Sequence, residues 1–393
     1  MANSNIPKGW AVTKLGAITN IATGKKDVNE GHEDGKYPFF TCSQKEYRIN
    51  DPSFDTEAIL VAGNAYFNVK YYKGKFDAYQ RTYVIDGFKD NIGPYLYYVL
   101  SKDVVSLTTN NQGSAVKYIK LRDLTDFTVI LPPSNERSKI IDILRMVDSV
   151  LVNTQAVIDQ IQALKNGIIQ ELFTRGIPSR HKKFKMTDVG EIPDSWEVKP
   201  VKELISVCQY GLNKPLSTDP IGVPVLRMNN LGAGKIDVGD VKYAVLTKEE
   251  ECEYLLEPGD VLFNRTNSRA LVGKVAIYKE RRKMSFASYL LRLKAKRGET
   301  DPRWLNYYFN TAETQNKLSH MATPGVSQSN INAQVMQSLR FKTPPIEEQK
   351  IMADLIDLME TRVEQEALVM DGYVQIKYAI MQILLTGKVR VKC

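Results

Sequence analysis

Two stretches decide the fold of this chain, Ile6-Pro7-Lys8-Gly9-Trp10-Ala11-Val12 and Ile192-Pro193-Asp194-Ser195-Trp196-Glu197-Val198, which share Ile, Pro, Trp and Val at the same spacing. A second set of matches, at a larger constant offset, pairs Gly113, Ile119, Pro132, Pro133 and Glu136 with Gly325, Ile331, Pro344, Pro345 and Glu348. Ordered matches that run through both halves of a chain indicate an internal repeat. The sequence therefore predicts a tandem duplication in which a globular segment and a long helix each occur twice.

Each Pro-Pro-x-x-Glu stretch is followed by a long helical pattern. Ser134 and Asn135 suit the start of a helix and Glu136 suits its first turn. Apolar residues then recur three and four positions apart, and Thr154 and Glu366 are the one matched polar pair. The predicted helix-pair interface consists of Ile140, Leu144, Val147, Leu151, Ile158, Ile161, Leu164, Ile168 and Leu172 with Met352, Ile356, Met359, Val363, Met370, Tyr373, Ile376, Ile380 and Leu384. This pattern predicts a coiled-coil seam that occurs twice.

The two helices are expected to pair with each other. Each has about 39 residues and a length of about 58 Å, and an isolated helix with a bare apolar stripe is unstable in water. The duplicated order favours a pseudo-two-fold, antiparallel pair, in which Thr154 and Glu366 would lie level as a register device. Two unrelated surface helices are the alternative.

These observations predict an α+β fold with two β-rich globular domains separated by two long antiparallel helices. Gly176 and Pro178 stop the first helix, and the basic run after them is typical of a solvated linker, with contact to DNA phosphates as the alternative. Two aromatic stretches, 94–100 and 303–309, predict matching short helices whose rings belong to the core. The predicted boundaries are 1–133 for the first domain, 134–175 for its helix, 176–191 for the linker, 192–345 for the second domain, 346–387 for its helix and 388–393 for the tail.

Composition limits the classes of function. The 393 residues are 43% hydrophobic and 25% charged, which is typical of folded, multidomain protein. The sequence has no apolar run long enough for a membrane span or a signal peptide, so we expect a cytoplasmic protein that does not engage a membrane. Four scattered cysteines and three scattered histidines predict neither a disulfide framework nor a metal site. The net charge of +8 permits a polyanionic partner.

Fragments that resemble catalytic motifs lack the context that catalysis needs. Asp51-Pro52-Ser53-Phe54 resembles the loop with which amino-methyltransferases hold a flipped base, but it departs at Ser53. No glycine-rich turn for S-adenosylmethionine accompanies it. Gly273-Lys274 and Gly387-Lys388 lack the rest of a phosphate-binding loop. We therefore expect a chain that is not an enzyme and that binds no cofactor.

Two polar stretches, 63–75 and 259–269, are candidates for DNA recognition. Arg can donate a fork of hydrogen bonds to guanine, Asn and Gln can pair with adenine, and Lys mainly contacts phosphate. Loops of this composition also occur on inert surfaces. The candidate DNA-binding residues are Asn64, Tyr66, Lys70, Tyr71, Lys73, Lys75, Arg81, Asn264, Arg265, Thr266, Asn267, Ser268, Arg269, Lys274 and Gln328.

The complete arrangement resembles the specificity subunit of type I restriction–modification systems. The resemblance rests on the two Ile-Pro-x-x-Trp-x-Val stretches, on 259–266, and on the Pro-Pro-x-x-Glu helices at 132–136 and 343–350. The closing stretch 385–389 also looks like that family's usual ending, so the resemblance covers essentially the whole chain. One departure is Arg137, because the second copy has Gln349 after its Glu.

The resemblance implies a non-catalytic subunit whose two globular domains are target recognition domains. Each would read one half of a bipartite, asymmetric sequence in double-stranded DNA. The helices would set the spacing and dock two methyltransferase (modification) subunits and restriction/translocase subunits. Those partners would use S-adenosylmethionine, ATP and Mg²⁺, and the assembled complex would methylate adenine and cleave DNA.

Two other functions stay open from the residues alone. A stand-alone DNA adenine methyltransferase would need a cofactor-binding fold, and tight binding of S-adenosylmethionine by this chain would favour it. A helical scaffold that does not bind DNA would show no salt-dependent affinity for DNA.

Overall fold

The structure is a computed structural model that describes residues 6–64, 66–108, 117–269, 271–324 and 328–392. The chain divides into two compact units. The first comprises Met1–Val157 and Glu366–Cys393, and the second comprises Ile158–Gln365. Each unit therefore contains one globular domain and a part of both long helices. Gly113 and Gly325, which match in the sequence repeat, lie outside the described residues.

The first unit is built on a six-stranded sheet. Its elements are β1 (Ala11–Lys14), α1 (Leu15–Ile18), β2 (Asn20–Thr23), β3 (Tyr37–Phe40), β4 (Tyr47–Ile49), β5 (Phe54–Ala62), β6 (Val69–Ala78), β7 (Thr82–Asp86), α2 (Ile92–Asp103), α3 (Leu121–Thr125), β8 (Thr128–Leu131) and the first long helix, α4 (Ser134–Arg175). The strand order is β2-β7-β5-β6-β3-β4. Neighbouring strands are antiparallel, except that β3 and β6 are parallel.

Strand β5 is the centre of this domain because both of its faces are buried. Ile59 and Val61 pack into the cluster that contains helix α2, whereas Ala58 and Leu60 pack into a second cluster on the opposite face. Alternation of this kind follows from the two-residue period of a strand. The rings of α2, such as Tyr95, are buried in the core, as the sequence predicts.

The second unit distributes its strands over several smaller sheets. Its elements are β9 (Phe184–Thr187), β10 (Gly190–Pro193), β11 (Glu197–Pro200), α5 (Val201–Leu204), β12 (Ile205–Tyr210), β13 (Val223–Leu226), β14 (Lys242–Ala244), α6 (Lys248–Tyr254), β15 (Val261–Asn264), β16 (Thr266–Asn267), β17 (Val275–Ile277), β18 (Ser285–Phe286), β19 (Leu290–Ala295), α7 (Pro302–Phe309), α8 (Ala312–Met321), β20 (Thr323–Pro324), β21 (Ser329–Asn330), α9 (Ala333–Ser338), β22 (Arg340–Thr343) and the second long helix, α10 (Ile346–Leu384). The strand orders are β12-β19-β15-β17, β14-β13-β18 and β16-β21-β20.

The repeat found in the sequence is present in the register of the strands. In the first unit β1 pairs with β8, and Ala11 lies opposite Leu131. In the second unit β11 pairs with β22, and Glu197 lies opposite Thr343. These pairs are related by the same two offsets that relate the matching motifs. The prediction of an α+β tandem repeat with two globular domains is confirmed.

A glycine in the left-handed region follows each long helix. Helix α4 ends at Arg175, and the N–H of Gly176, whose φ is 78°, donates to the carbonyl of Leu172. Helix α10 ends at Leu384, before the predicted end at 387, and Gly387 takes a φ of 68° in the turn that follows. The ending of α4 follows the usual glycine C-cap chemistry.

The predicted linker, 176–191, is not a solvated connector throughout. Strands β9 and β10 form an antiparallel hairpin in which Met186 lies opposite Glu191. Gly190, with a φ of 97°, allows the tight turn between the two strands. The basic composition that suggested a free linker therefore belongs in part to a hairpin of the second unit.

Candidate nucleic-acid interface

The two candidate recognition loops lie at the same place in the repeated topology. In the first domain the N–H of Ile119 donates to the carbonyl of Gly63 at 2.8 Å. In the second domain the N–H of Ile331, the repeat partner of Ile119, donates to the carbonyl of Arg265 at 2.8 Å. The loop that follows β5 and the loop that follows β15 are thus fixed by equivalent backbone hydrogen bonds. Nothing in the loop sequences predicts this equivalence, because the two loops differ in every side chain.

The first loop presents an aromatic side chain at the surface. Asn64 forms an isolated antiparallel bridge with Tyr118. Tyr66 is 70% exposed. Arg81 is also exposed, and its carbonyl accepts a hydrogen bond from the N–H of Gly63. These contacts place Asn64 and Arg81 beside the same turn.

The second loop presents a cluster of polar side chains. Strand β16 pairs with β21, and the hydroxyl of Thr266 donates to the side-chain oxygen of Asn330 at 3.2 Å. The side-chain oxygen of Asn267 accepts the N–H of Ser268. Ser268, Arg269 and Gln328 are exposed. Gln328 directly precedes β21, and the pairing of β21 with β16 therefore brings it near this loop.

One candidate residue is wrong on structural grounds, and a second has its hydroxyl committed to the fold. Asn264 is fully buried, because it is the last residue of strand β15 and not part of the loop. Its N–H donates to the carbonyl of Lys274. Tyr71 faces the core of the first domain, where its hydroxyl donates to Glu57 and its ring lies against Tyr97. Burial and this hydrogen bond raise the pKa of Tyr71. The side chain of Asn264 is therefore not presented to a partner, whereas that of Tyr71 stays partly exposed.

The lysines of the first stretch lie on strand β6 and not in a loop. Lys73 and Lys75 are exposed. Lys70 is half-buried, and its ammonium donates to the carbonyl of Ser43 at 3.1 Å. Burial lowers the pKa of Lys70. Lys274 is also half-buried. Of these four lysines, only Lys73 and Lys75 are exposed.

The helix pair is antiparallel in each unit and carries a repeated ion pair. In the first unit Asp148 of α4 and Lys377 of α10 lie 2.6 Å apart. In the second unit Lys165 of α4 and Glu360 of α10 lie 3.5 Å apart. The offset that relates Glu136 to Glu348 also relates Asp148 to Glu360 and Lys165 to Lys377. The two ion pairs are therefore images of each other under the internal symmetry.

These lysines replace two apolar residues in the predicted seam. Leu164 is 59% exposed and Ile376 is 50% exposed, so both predictions were wrong. A seam needs alternating steps of three and four residues. The step after Ile161 must therefore be four, which leads to Lys165. The same step in the second copy leads to Lys377. The seam positions of the two lysines were missed because each lysine directly follows an apolar residue, Leu164 or Ile376.

The other predicted seam residues are removed from solvent to different degrees. Those that are buried are Ile140, Leu144, Ile158, Leu172, Met352, Ile356 and Leu384. Those that are half-buried are Val147, Leu151, Ile161, Ile168, Met359, Val363, Met370, Tyr373 and Ile380. All of the buried ones except Ile158 belong to the hydrophobic cores of the globular domains.

The predicted register device is not formed as expected. Because the helices are antiparallel, a step forward from Asp148 on α4 corresponds to an equal step backward from Lys377 on α10. Thr154 is therefore near the level of Asp371 and not of Glu366. Its hydroxyl donates to the carbonyl of Val150 in its own helix.

A buried carboxylate joins each Trp motif to the start of a long helix. The indole N–H of Trp10 donates to Glu136 at 3.0 Å, and Arg390 donates two hydrogen bonds of 2.8 Å to the same carboxylate. These bonds hold the pKa of Glu136 below its ordinary value, with Arg390 as the main cause. The matched Trp and Glu could have suggested this contact. Arg390 could not be found, because it has no counterpart at the matching position.

The second unit repeats this junction with a histidine in the place of the arginine. The indole N–H of Trp196 donates to Glu348 at 3.1 Å. A ring nitrogen of His181 lies 2.6 Å from the other oxygen of Glu348. The N–H of Ile177 also donates to that oxygen at 3.3 Å. Each junction therefore takes its third partner from the segment that follows a long helix.

The difference between Arg137 and Gln349 leaves their role unchanged. Arg137 donates to the carbonyl of Pro132 at 3.5 Å, and Gln349 donates to the carbonyl of Pro344 at 2.9 Å. Both side chains are buried at the start of their helix. They tie the Pro-Pro turn to the first helical turn in each copy.

Within the described parts of the chain, we find no group of three or more His, Cys, Asp or Glu residues that could hold a metal ion. A search of the same residues identifies no helix with the length and hydrophobicity of a membrane span.

The sequence profile of the type I restriction modification DNA specificity domain matches this chain twice, at residues 7–163 and 193–367. Together these matches cover most of the chain, and each contains one globular domain with the start of its long helix. The division of the profile into two copies agrees with the tandem repeat.

Similar proteins of known sequence include two named specificity subunits. The chain is 38% identical over 174 residues to the type I restriction enzyme EcoDI specificity subunit of Escherichia coli, a match that spans 44% of this chain and 39% of that protein. It is 26% identical over 417 residues to the type I restriction enzyme MjaVIII specificity subunit of Methanocaldococcus jannaschii, a match that spans 100% of this chain and 96% of that protein.

Similar solved structures share the fold along almost the whole chain. One is the S subunit of a type I restriction-modification system from M. genitalium, with a TM-score of 0.55 and 13% identity over 98% of this chain and 97% of that one. Another comes from a study of complex assembly and conformational transition of the type I R-M system, with a TM-score of 0.59 and 16% identity over 98% and 100%.

Proposed function

The chain belongs to the family of type I restriction modification DNA specificity domains, and we propose that it is the DNA sequence-recognition subunit of a type I restriction–modification complex. The observation that carries this proposal is the duplication. Each of the two domain copies presents a polar loop, and an equivalent backbone hydrogen bond fixes the start of each loop, at the carbonyl of Gly63 and at that of Arg265. Because the loop side chains differ, the two domains would read two different DNA sequences.

Each domain would read one half of a bipartite target through its loop and through other exposed polar side chains of the domain. In the first domain the exposed side chains with suitable chemistry are Tyr66, Lys73, Lys75 and Arg81. In the second domain they are Ser268, Arg269 and Gln328, together with the half-buried Arg265, Thr266 and Asn267. Lysines would position the DNA through its phosphates, whereas Arg, Asn and Gln would contact base edges.

The long helices would set the distance between half-sites and dock the partner subunits. Several apolar side chains on these helices are exposed, which is typical of a surface that another protein covers. In the first unit they include Val152 and Leu368, which are among the most exposed apolar residues of the chain. In the second unit they include Leu164 and Leu358. Two modification subunits and restriction/translocase subunits are the proposed occupants.

The chemistry of the complex would reside in these partners. The modification subunits would bind S-adenosylmethionine and methylate adenine, and the restriction subunits would use ATP and Mg²⁺. This chain would contribute target selection and would work in the cytoplasm with the host DNA.

Single-molecule mapping of N6-methyladenine in the host genome, with and without this gene, tests the proposal. We expect one bipartite motif to lose its methylation when the gene is deleted and to regain it on complementation. If the partner methyltransferase is expressed and active but no motif disappears, the proposal is wrong.

Purified protein provides a second test. The affinity of the complex for its target should fall steeply as salt rises from about 50 to 200 mM, because contacts to DNA phosphates release counterions. Affinity for DNA that does not change with salt would favour the scaffold function. Tight binding of S-adenosylmethionine by the isolated chain would favour a stand-alone methyltransferase.

A further inference from the structure

The side chain of Arg265 is held against an aromatic ring at the base of the second loop. Its guanidinium carbon lies 5.1 Å from the centre of the Tyr210 ring. Its backbone is fixed on both sides, because its N–H donates to the carbonyl of Tyr289 at 3.1 Å and its carbonyl accepts the N–H of Ile331 at 2.8 Å. Tyr210 is itself 48% exposed. The guanidinium is therefore oriented on a platform at the protein surface.

The hydrogen-bonding capacity of this guanidinium is unused within the described residues. Its Nε is buried and finds no acceptor among them. Other arginines of the same domain are committed to the fold. Arg292 donates to the carbonyls of Leu255 and Glu253, and Arg303 forms ion pairs with three carboxylates. Arg265 is stacked, oriented and free of an ion pair in the described structure.

The surroundings of Arg265 suit a nucleic acid. The stretch 264–269 contains two arginines and no acidic residue. Ser268 and Arg269 are exposed next to it, and Asn330 lies on the strand paired with β16. A guanidinium stacked on a ring keeps its N–H groups in one fixed plane. A fixed planar fork is the arrangement that pairs with O6 and N7 of guanine.

We propose that Arg265 reads one guanine in the half-site of the second domain, and that Tyr210 is a positioning residue that holds the guanidinium in the reading plane. This inference rests on the proposed function and adds to it a reading residue, its platform and the base that it recognises.

The first domain is unable to carry an equivalent arginine. The residue at the matching hydrogen bond is Gly63, and a Cβ built on it would lie 2.6 Å from the carbonyl oxygen of Arg81. A side chain at this position would therefore collide with the backbone. An arginine at this position of the topology, with the guanine that it reads, consequently belongs to the second half-site only.

The test uses the full complex and a duplex that contains the mapped target. Each guanine is replaced in turn by 7-deazaguanine, which lacks the N7 acceptor. We expect one guanine, in the half-site of the second domain, at which this replacement lowers the methylation rate by about 10-fold. The domain that reads each half-site is assigned by exchanging residues 1–131. A target in which no guanine of the second half-site responds would overturn the inference.

Variants connect that guanine to Arg265. Arg265→Lys keeps the charge but loses the planar fork, so it should lower the rate on the normal target about 10-fold and no longer respond to 7-deazaguanine at that position. Tyr210→Phe keeps the ring and should behave like the wild type, whereas Tyr210→Ala should weaken the preference for guanine. An Arg265→Lys complex that still responds at that guanine would refute the assignment.

The remaining outcomes are also decisive. If Arg265→Lys abolishes all methylation, two other results decide the inference. These are the 7-deazaguanine replacements tested with the wild-type complex and the comparison of Tyr210→Phe with Tyr210→Ala. If deletion of the gene removes no motif, the proposed function itself fails before any variant is made. A bipartite motif that depends on the gene but is unchanged by Arg265→Lys would overturn only the role of Arg265.

Discussion

Replacing Arg390 with alanine tests the junction that closes the first unit. In the wild type Arg390 donates two hydrogen bonds of 2.8 Å to Glu136, whose side chain is 3% exposed. Removing one partner of a buried charge pair costs about 3–5 kcal/mol. Arg390 is 44% exposed, and Glu136 keeps the hydrogen bonds from Trp10 and Val391. We therefore expect a loss of about 2 kcal/mol in the stability of the first unit.

Hydrogen–deuterium exchange of the full chain measures this loss locally. The informative peptides cover strands β1 and β8, which pair with each other next to Glu136. A loss of about 2 kcal/mol accelerates exchange about 30-fold where exchange reports stability. Peptides that cover β11 and β22 of the second unit serve as the internal control and should not change. Lys388→Ala, which removes an exposed charge from the same tail, is the matched variant.

The effect should depend on pH in one direction. The pKa of Glu136 is lowered in the folded state, mainly by Arg390. The contribution of Glu136 to the stability of the folded state is thus complete above its pKa in the unfolded chain, about 4.3. It is lost as the pH falls through the lower pKa of Glu136 in the folded protein. The ratio of variant to wild-type exchange rates should be largest near pH 7 and approach one in acid. Equal acceleration by Lys388→Ala, or equal acceleration in the second unit, would refute the reasoning.

Three further predictions concern the second junction, the helices and the domains. Trp196→Phe removes the indole donor to Glu348, so urea unfolding should show that the second unit loses about 1–2 kcal/mol of stability. Trp10→Phe should destabilise the first unit less, because Glu136 keeps its two hydrogen bonds from Arg390. Inserting four residues into a long helix, about 6 Å, should lengthen the unread gap of the methylated motif without altering its half-sites; altered half-sites with an unchanged gap would argue against a spacing role. Replacing residues 1–131 with those of another family member should change one half-site in methylation mapping, and a change in both would contradict independent reading.

The helix seam shows where sequence periodicity succeeds and where it fails. Alternating spacing predicted most of the seam, including Ile140 and Met352, which are fully buried. It failed at Leu164 and Ile376, because an apolar residue next to a lysine looked like the better seam member. A lysine can occupy a seam when a carboxylate faces it, and that carboxylate is on the other helix.

The candidate interface shows a similar limit. The polar composition of the two stretches pointed to Arg265 and Tyr66, which the structure presents in half-buried and exposed positions. The same composition also pointed to Asn264, which the folded domain buries, and to Tyr71, whose hydroxyl donates to Glu57 inside the fold. Composition reports which chemistry is present in a stretch, whereas burial depends on strands that pair with that stretch from distant parts of the chain.

By itself the sequence determined the duplicated order, the existence of both long helices and the end of the first, because repeats, apolar spacing and glycine or proline stops act within a few residues. The tertiary structure alone decided which polar residues reach the surface, that lysines complete the seam, and that Arg390 binds Glu136. The physical reason is distance along the chain. Arg390 and Glu136 are 254 residues apart, and a buried carboxylate gains its partners only when folding brings such residues together.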